Sequence, residues 1–278
     1  PPNTCWEVAG DGDPGTGPQS LGFSNWYQAG FGNIGNTGAV GINLYTTGKN
    51  EWILTPQYDL TNGGPFQVEL DFGVFTWPTT SPGTLGSDDR VEVLISRDGG
   101  VSWSGLANYN NNYVTGPNGN HEIIPLPNDT GIVQFAIWAS EGTVDDPEDN
   151  DVMIDNFAIN AIPSCPQPLY INAFNILPDS ASLTWTVFGT DTSWIVYLTP
   201  TGVTPDTSHL TLAANDTVTF SGLSSNTYYD FYVQGLCSNN DTSSLTGPFT
   251  FVTSCLPISS PYFQNFDNST APYFDQCW

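Results

Sequence analysis

From Trp52 to Ile159 the chain is a succession of short segments in which hydrophobic and polar residues alternate. Trp52-Ile53-Leu54-Thr55-Pro56 leads into Tyr58-Asp59-Leu60. Gln67-Val68-Glu69-Leu70-Asp71-Phe72, Arg90-Val91-Glu92-Val93-Leu94-Ile95-Ser96, Ile132-Val133-Gln134-Phe135-Ala136-Ile137-Trp138 and Val152-Met153-Ile154-Asp155-Asn156-Phe157-Ala158-Ile159 follow. A period of two sends successive side chains to opposite faces of a β-strand. Turn-forming clusters separate the segments: Asn62-Gly63-Gly64, Asp98-Gly99-Gly100, Pro117-Asn118-Gly119 and Asn128-Asp129-Thr130-Gly131. No stretch of useful length carries the period of an amphipathic helix. The expectation is an all-β protein of stacked antiparallel sheets.

The charge balance narrows the function. Lys49, Arg90 and Arg97 are the only basic residues against 28 acidic ones, a net charge of −25. Such a chain repels phosphate backbones and anionic membranes, so nucleic acid is excluded as a partner. No apolar run is long enough to span a bilayer, which argues against membrane insertion. Most carboxylates lack a cationic partner within the chain, and bound calcium would relieve them. Aromatic residues at 13% exclude a disordered acidic tail. Five cysteines (5, 165, 237, 255 and 277) fit an oxidising, extracellular compartment, and their odd number leaves one without a partner in this stretch.

The dipeptide Cys-Trp occurs at Cys5-Trp6 and again at Cys277-Trp278, an offset of 272 residues (277 − 5). The expectation is one period of a longer tandem array, cut out of phase. The opening strand of the first domain would be missing in front, and its equivalent for the next unit would be Pro261 to Trp278. Three segments follow: residues 1–162, 163–255 and 256–278, the last a donor or connector.

The residues between 50 and 157 also carry a resemblance. Asn50-Glu51-Trp52-Ile53-Leu54-Thr55-Pro56-Gln57-Tyr58-Asp59-Leu60 resembles the W-L-x-S-P-x-F-D-L strand of MAM-like jelly rolls. Asp88 to Trp103 is similar to their D-x-V-x-V-x-I-S-x-D-G-G-x-S-W hairpin, and Asp151 to Phe157 to their closing D-V-x-I-D-N-F strand. Phe263 to Trp278 resembles the family's opening strand. Ala181 to Thr186, Trp194 to Leu198 and Leu223 to Val233 resemble strands of a fibronectin type III domain, with Trp185 as core tryptophan and Tyr229 as tyrosine-corner residue. Alternating modules of these two kinds, with Cys165-Pro166-Gln167-Pro168 at the junction, look like surface proteins of the Bacteroidota exported by type IX secretion.

The resemblance implies further assignments. Cys165 pairs with Cys237 and Cys255 with Cys277, while Cys5 is unpaired or bonded to a preceding unit; Cys5–Cys165 is the runner-up. Calcium would be held by Asp71, Asp89, Asp155 and Asp267. Phe263 and Phe266 would fill the core of the following jelly roll. In the fibronectin-like sheet, alternation points Trp194, Val196, Leu198, Tyr229, Phe231 and Val233 inward. It points Ile195, Tyr197, Tyr228 and Tyr232 outward, joined by Val252, as an apolar face that would pack on a neighbouring module.

Catalytic signals are thin. Glu69-Leu70-Asp71-Phe72-Gly73-Val74 partly resembles the E-x-D-x-x-E strand of jelly-roll glycoside hydrolases, but Val74 stands where the acid/base carboxylate would be. His121 and His209 are read as surface residues in polar loops of different domains, with no triad or metal set within either. Trp26, Tyr45, Trp77, Tyr109 and Tyr113 lie in or near loops and could stack on sugars. The leading expectation is a non-enzymatic structural or adhesive repeat whose partners are neighbouring copies, head to tail, and surface glycans. The alternative is a carbohydrate-binding accessory region of a secreted polysaccharide-degrading enzyme.

Overall fold

The computed structural model describes residues 5–188, 193–237 and 241–260. The chain divides into two compact units, Pro1–Ile162 and Pro163–Trp278. All strand pairings are antiparallel.

Unit 1 contains β1 (Glu7–Gly10), β2 (Ser20–Leu21), β3 (Tyr27–Ala29), β4 (Ala39–Leu44), β5 (Asn50–Asp59), β6 (Phe66–Thr76), β7 (Arg90–Ser96), β8 (Ser104–Tyr109), β9 (Asn120–Leu126), β10 (Ile132–Ser140) and β11 (Asn150–Ala161). They form a six-stranded sheet in the order β2-β1-β5-β10-β7-β8 and a five-stranded sheet in the order β3-β4-β11-β6-β9. Alternation sets the core. Val68, Leu70, Phe72 and Val74 of β6 share one cluster with Val91, Val93 and Ile95 of β7 and with Val133, Phe135 and Ile137 of β10. Phe72 is fully buried and stacks on Tyr109 with ring centroids 4.1 Å apart. Each such side chain contributes about 1.5–3 kcal/mol by leaving water.

The six-stranded sheet is dry on its other face as well. Ala9, Trp52, Leu54, Leu94, Ala136 and Trp138 form a second cluster, with Trp103 packed against it. The segment after β1 covers them: Trp52 Nε1 donates to the Asp11 carbonyl at 3.1 Å and Trp138 Nε1 to the Gly12 carbonyl at 3.3 Å. This explains why Phe135-Ala136-Ile137-Trp138-Ala139 runs apolar without a break. A strand buried on both faces has no polar alternate.

Unit 2 contains β12 (Leu169–Phe174), β13 (Ser180–Thr186), β14 (Trp194–Pro200), β15 (Leu210–Ala213), β16 (Thr217–Ser221), β17 (Tyr228–Gly235) and β18 (Thr246–Val252). A sheet ordered β12-β13-β16 packs on one ordered β15-β14-β17-β18. Trp185 and Trp194 meet across the core at 5.7 Å, among Leu183, Val196, Phe231 and Val233. The Tyr229 hydroxyl accepts the Ser224 amide at 3.0 Å, the bond of a tyrosine corner. Cys165, just ahead of β12, is bonded to Cys237, just past β17, with Cα atoms 5.8 Å apart.

One sequence expectation is corrected here. His121 is not in a loop. It lies on β9, opposite Asp71 of β6. The turn cluster Pro117-Asn118-Gly119 ends one residue earlier than its polar composition suggests, and the ladder begins at Asn120.

Candidate functional site

Unit 1 carries a groove of about 770 Å³ with apolar walls and a polar margin at Gln28, Asp155 and Asn156. Its walls are Trp6 and Val8 of the β1 region, Trp26 and Val40 around β3 and β4, and Ile154 to Phe157 of β11; Ile53 and Ile137 form part of the lining. Those two isoleucines are each 1% exposed and belong to the central core. The groove is therefore an opening into the sandwich interior rather than a surface dimple. Trp6 stands edge-on to Phe157 at 5.4 Å, and Phe157 leans on Phe135 at 6.1 Å. The buried Trp26 Nε1 has no acceptor among the described residues.

The backbone beside the groove is also incomplete. β4 pairs β11 only from Asn150 to Ile154. On its other edge β11 pairs β6 to Ala161, with a bulge between Asp155 and Ala158 where Asn156 takes a φ of 52°. From Asp155 onward, the edge of β11 facing away from β6 has no ladder partner among the described residues. Burial follows pairing. Residues Asn150 to Ile154 are buried, whereas Phe157, Ala158 and Ile159 are only half-buried.

A second arrangement lies on the outer face of the five-stranded sheet. Glu69 and Asp71 share that face, and His121 reaches both, at 2.7 Å from Nδ1 to Asp71 and 3.5 Å from Nε2 to Glu69. Asp71 also accepts from Asn156 at 2.7 Å. Burial alone would raise Glu69, but hydrogen bonds from Gln67 and Asn160 and the adjacent His121 ring hold it below its ordinary value. Among the described residues, neither His121 nitrogen is bonded to a hydroxyl or thiol. Val74, at the third position of the hydrolase-like pattern, is 1% exposed in the core. His209 is bonded to Asp206 at 2.9 Å in an exposed turn that Asp206 itself caps through Ser208.

Of the carboxylates expected to bind calcium, Asp71, Asp89 and Asp155 lie among the described residues. Asp155 lies directly opposite Asp71 on β11 and β6. Asp89 precedes β7 in the other sheet and accepts the Gly86 amide at 2.8 Å. Among the described residues no three His, Cys, Asp or Glu side chains stand at metal-ligand spacing. Asp267, Phe263, Phe266 and the Cys255–Cys277 pairing lie outside the described residues. Cys5 is an exposed free thiol.

Glu141 carries no sequence signal of its own beyond following the apolar run of β10. It is 2% exposed. Burial pushes its carboxyl up to about 7, with Asp89 adding to the rise and Lys49 opposing it. Asp89 is pushed up to about 6 by burial, reinforced by Asp146, Asp88 and Glu148 against the lowering effect of the Gly86 amide.

The aromatic residues divide. Tyr109 is 5% exposed and Tyr113 packs against the same core, whereas Trp77 and Tyr45 are about half exposed. In unit 2 the outer sheet face carries Ile195, Tyr197, Tyr228 and Tyr232. Register sets Ile195 beside Leu212, Tyr197 beside Tyr232 and Tyr228 beside Val252. Leu212 at 66% and Tyr228 at 48% are its most exposed members.

No protein-family model matches the chain, and no curated protein is significantly similar to it. Among solved structures, it is similar to an fn3 domain of human collagen alpha-1(XX) chain, with 21% identity over 35% of this chain and 93% of that one and a TM-score of 0.30. A fibronectin type III domain derived from human KIAA0970 protein gives 16% over 34% and 78%, with a TM-score of 0.29. Titin module A71 from human cardiac muscle gives 20% over 31% and 88%, with a TM-score of 0.28. The strand order of unit 2, with its core tryptophan and tyrosine corner, is fibronectin type III-like in its own right. No helix among the described residues is long and apolar enough to cross a membrane.

Proposed function

We propose that this chain is a non-catalytic structural or adhesive unit of an extracellular protein, joined head to tail with its neighbours by a strand that enters the groove of unit 1. The observation that carries this reading is the coincidence of the groove with the unpaired edge of β11. An incoming extended segment gains main-chain hydrogen bonds from that edge and buries apolar side chains among Trp6, Val40, Ile137 and Phe157. On this reading unit 1 is a MAM-like jelly roll completed by that strand, of the kind found in Bacteroidota surface proteins exported by type IX secretion. The donor is the segment around Phe263 to Asp267 of an adjoining unit. A head-to-tail contact of this sort is heterologous and propagates as a filament. The exposed aromatic face of unit 2 is a second surface for neighbouring modules.

The test uses a chain ending at residue 260 and a synthetic peptide of residues 256–278. The shortened chain is expected to bind the peptide one to one and to melt at a higher temperature in its presence. Phe157→Ala in the shortened chain is expected to weaken binding at least tenfold. A folded shortened chain that ignores the peptide would overturn the proposal, as would Phe157→Ala binding unchanged.

A further inference from the structure

We infer that Asp89 and Glu141 together hold a calcium ion at the end of the β7–β10 ladder. Arg90 and Ser140 are paired across that ladder. Continued by one residue, that register would place Asp89 opposite Glu141, and the Asp89 charge bears on the Glu141 carboxyl. Opposed residues of an antiparallel pair hold their Cβ atoms roughly 4.5–5.5 Å apart, and like charges there repel. Both side chains are buried, at 4% and 2% exposed. Each has an oxygen, Asp89 Oδ1 and Glu141 Oε2, that meets no hydrogen-bond partner among the described residues.

The other buried carboxylates of unit 1 behave differently. Glu51 accepts from the Ser24 hydroxyl, the Asn25 amide and the Asn25 side chain at 2.6–2.9 Å. Asp151 accepts the Tyr27 hydroxyl at 2.8 Å. Of the four buried carboxylates of unit 1, Asp89 and Glu141 are the two with a fully buried oxygen that lacks a partner among the described residues. A buried carboxylate without a partner is strongly disfavoured, and two facing each other more so. The ion pairs of the described residues involve Arg90, Arg97, His121 and His209, and none reaches Asp89 or Glu141. Lys49, whose charge acts on the Glu141 carboxyl, donates to the Asn43 carbonyl.

The surrounding loops are fitted together around the pair. Asp88 accepts the Thr143 amide at 2.7 Å, and Asp146 accepts the Ser87 hydroxyl at 2.8 Å, tying residues 87–88 to residues 143–146. Two glycines permit this approach. A Cβ on Gly86 would stand 2.8 Å from Asp146 Oδ2 and 3.0 Å from Asp89 Oδ2. One on Gly142, whose φ is 73°, would collide with the Asp88 carboxylate. Asp146 thus stands near Asp89 and adds negative charge without supplying a counter-ion.

The donors are carboxylate oxygens, with carbonyls and water available to complete a shell, and neither nitrogen nor sulfur ligands are in view. That set suits calcium rather than zinc or copper. Because two carboxylates rather than three or four make direct contact, affinity should resemble that of extracellular calcium modules, about 0.1–1 mM. Asp71 and Asp155 have no part in this site.

The full chain, stripped with chelator, is titrated with calcium chloride at pH 7.5 and its melting followed by calorimetry. A site with a Kd of about 0.5 mM raises the unit 1 transition by about 5 °C at 10 mM calcium. Glu141→Gln is expected to abolish that rise and to melt above the calcium-free wild type, because it removes an unpaired buried charge. Glu69→Gln, outside the site, should keep the full rise. The inference is overturned if the wild type shows no calcium-dependent rise, if magnesium at equal ionic strength produces the same rise, or if Glu141→Gln retains it. Should Glu141→Gln fail to fold, equilibrium dialysis of the wild type decides: one calcium per chain with half-saturation below about 2 mM supports the site, and none overturns it.

Discussion

Removing the Cys165–Cys237 crosslink gives a quantitative test of how unit 2 is stabilised. The bond closes a sequence separation of 72 residues. Cross-linking a loop of that length restricts the unfolded chain by about 15 cal/mol/K, or about 4 kcal/mol at 25 °C. A domain of this size has a total stability of only about 5–15 kcal/mol. With an unfolding entropy near 0.2 kcal/mol/K for about 90 residues, the loss corresponds to a fall in Tm of about 20 °C. The perturbation is the double variant Cys165→Ala/Cys237→Ala, since chemical reduction would also reach other cysteines. Scanning calorimetry of the full chain should show the unit 2 transition fall by that amount while the unit 1 transition stays in place. Cys165 is 6% exposed, so alanine there leaves no buried polar group to confuse the comparison. A fall of less than about 5 °C would refute the reasoning. It would mean that the unfolded chain is already restricted by other means, or that the native loop relaxes once released.

Two further outcomes are expected. Phe72→Ala removes a fully buried ring stacked on Tyr109, and should cost unit 1 about 3–5 kcal/mol; a urea midpoint that hardly moves would contradict the packing described. Asp98 is held at about 2 by hydrogen bonds from the Ser102 hydroxyl and amide, so its contribution is full above its ordinary value of 3.8 and is lost as pH falls through about 2. Asp98→Asn should therefore destabilise the chain at pH 6 and make no difference at pH 1.5, as read by denaturant titration at both pH values.

The sheets were legible wherever one face of a strand meets the core and the other meets water. Val91, Val93 and Ile95 alternate with Glu92 and Leu94, and β7 lies where that pattern places it. The outward Ile195 and Tyr197 of β14 are readable for the same reason. Alternation says little for β1 to β3, of two to four residues each, and for β4, which Gly41 interrupts. Nor could it report that Leu94, Ala136 and Trp138 lie under a second cover, since a strand buried twice looks like any apolar run. The missing opening strand was inferred from a repeat and a family likeness, but no groove was legible; its walls, Trp6 and Trp26 with Val40 and Phe157, come from four separate segments. Glu141 was invisible because burial of a single carboxylate depends on which loop folds over it, and Ser140-Glu141-Gly142 reads as an ordinary turn.

Trp52 lies 5.8 Å from Trp103 and 6.4 Å from Trp138, each pair tilted by just over 50°. Indoles so close and so inclined share their electronic excitations, so a circular-dichroism band of unit 1 that vanishes when the cover is displaced is the expected signature. Trp185 and Trp194 form a comparable pair inside unit 2. Trp6, edge-on to Phe157 at the groove, stands apart from both sets. These aromatic groups are expected to report separately on one sheet cover, one sandwich core and one groove, without a label.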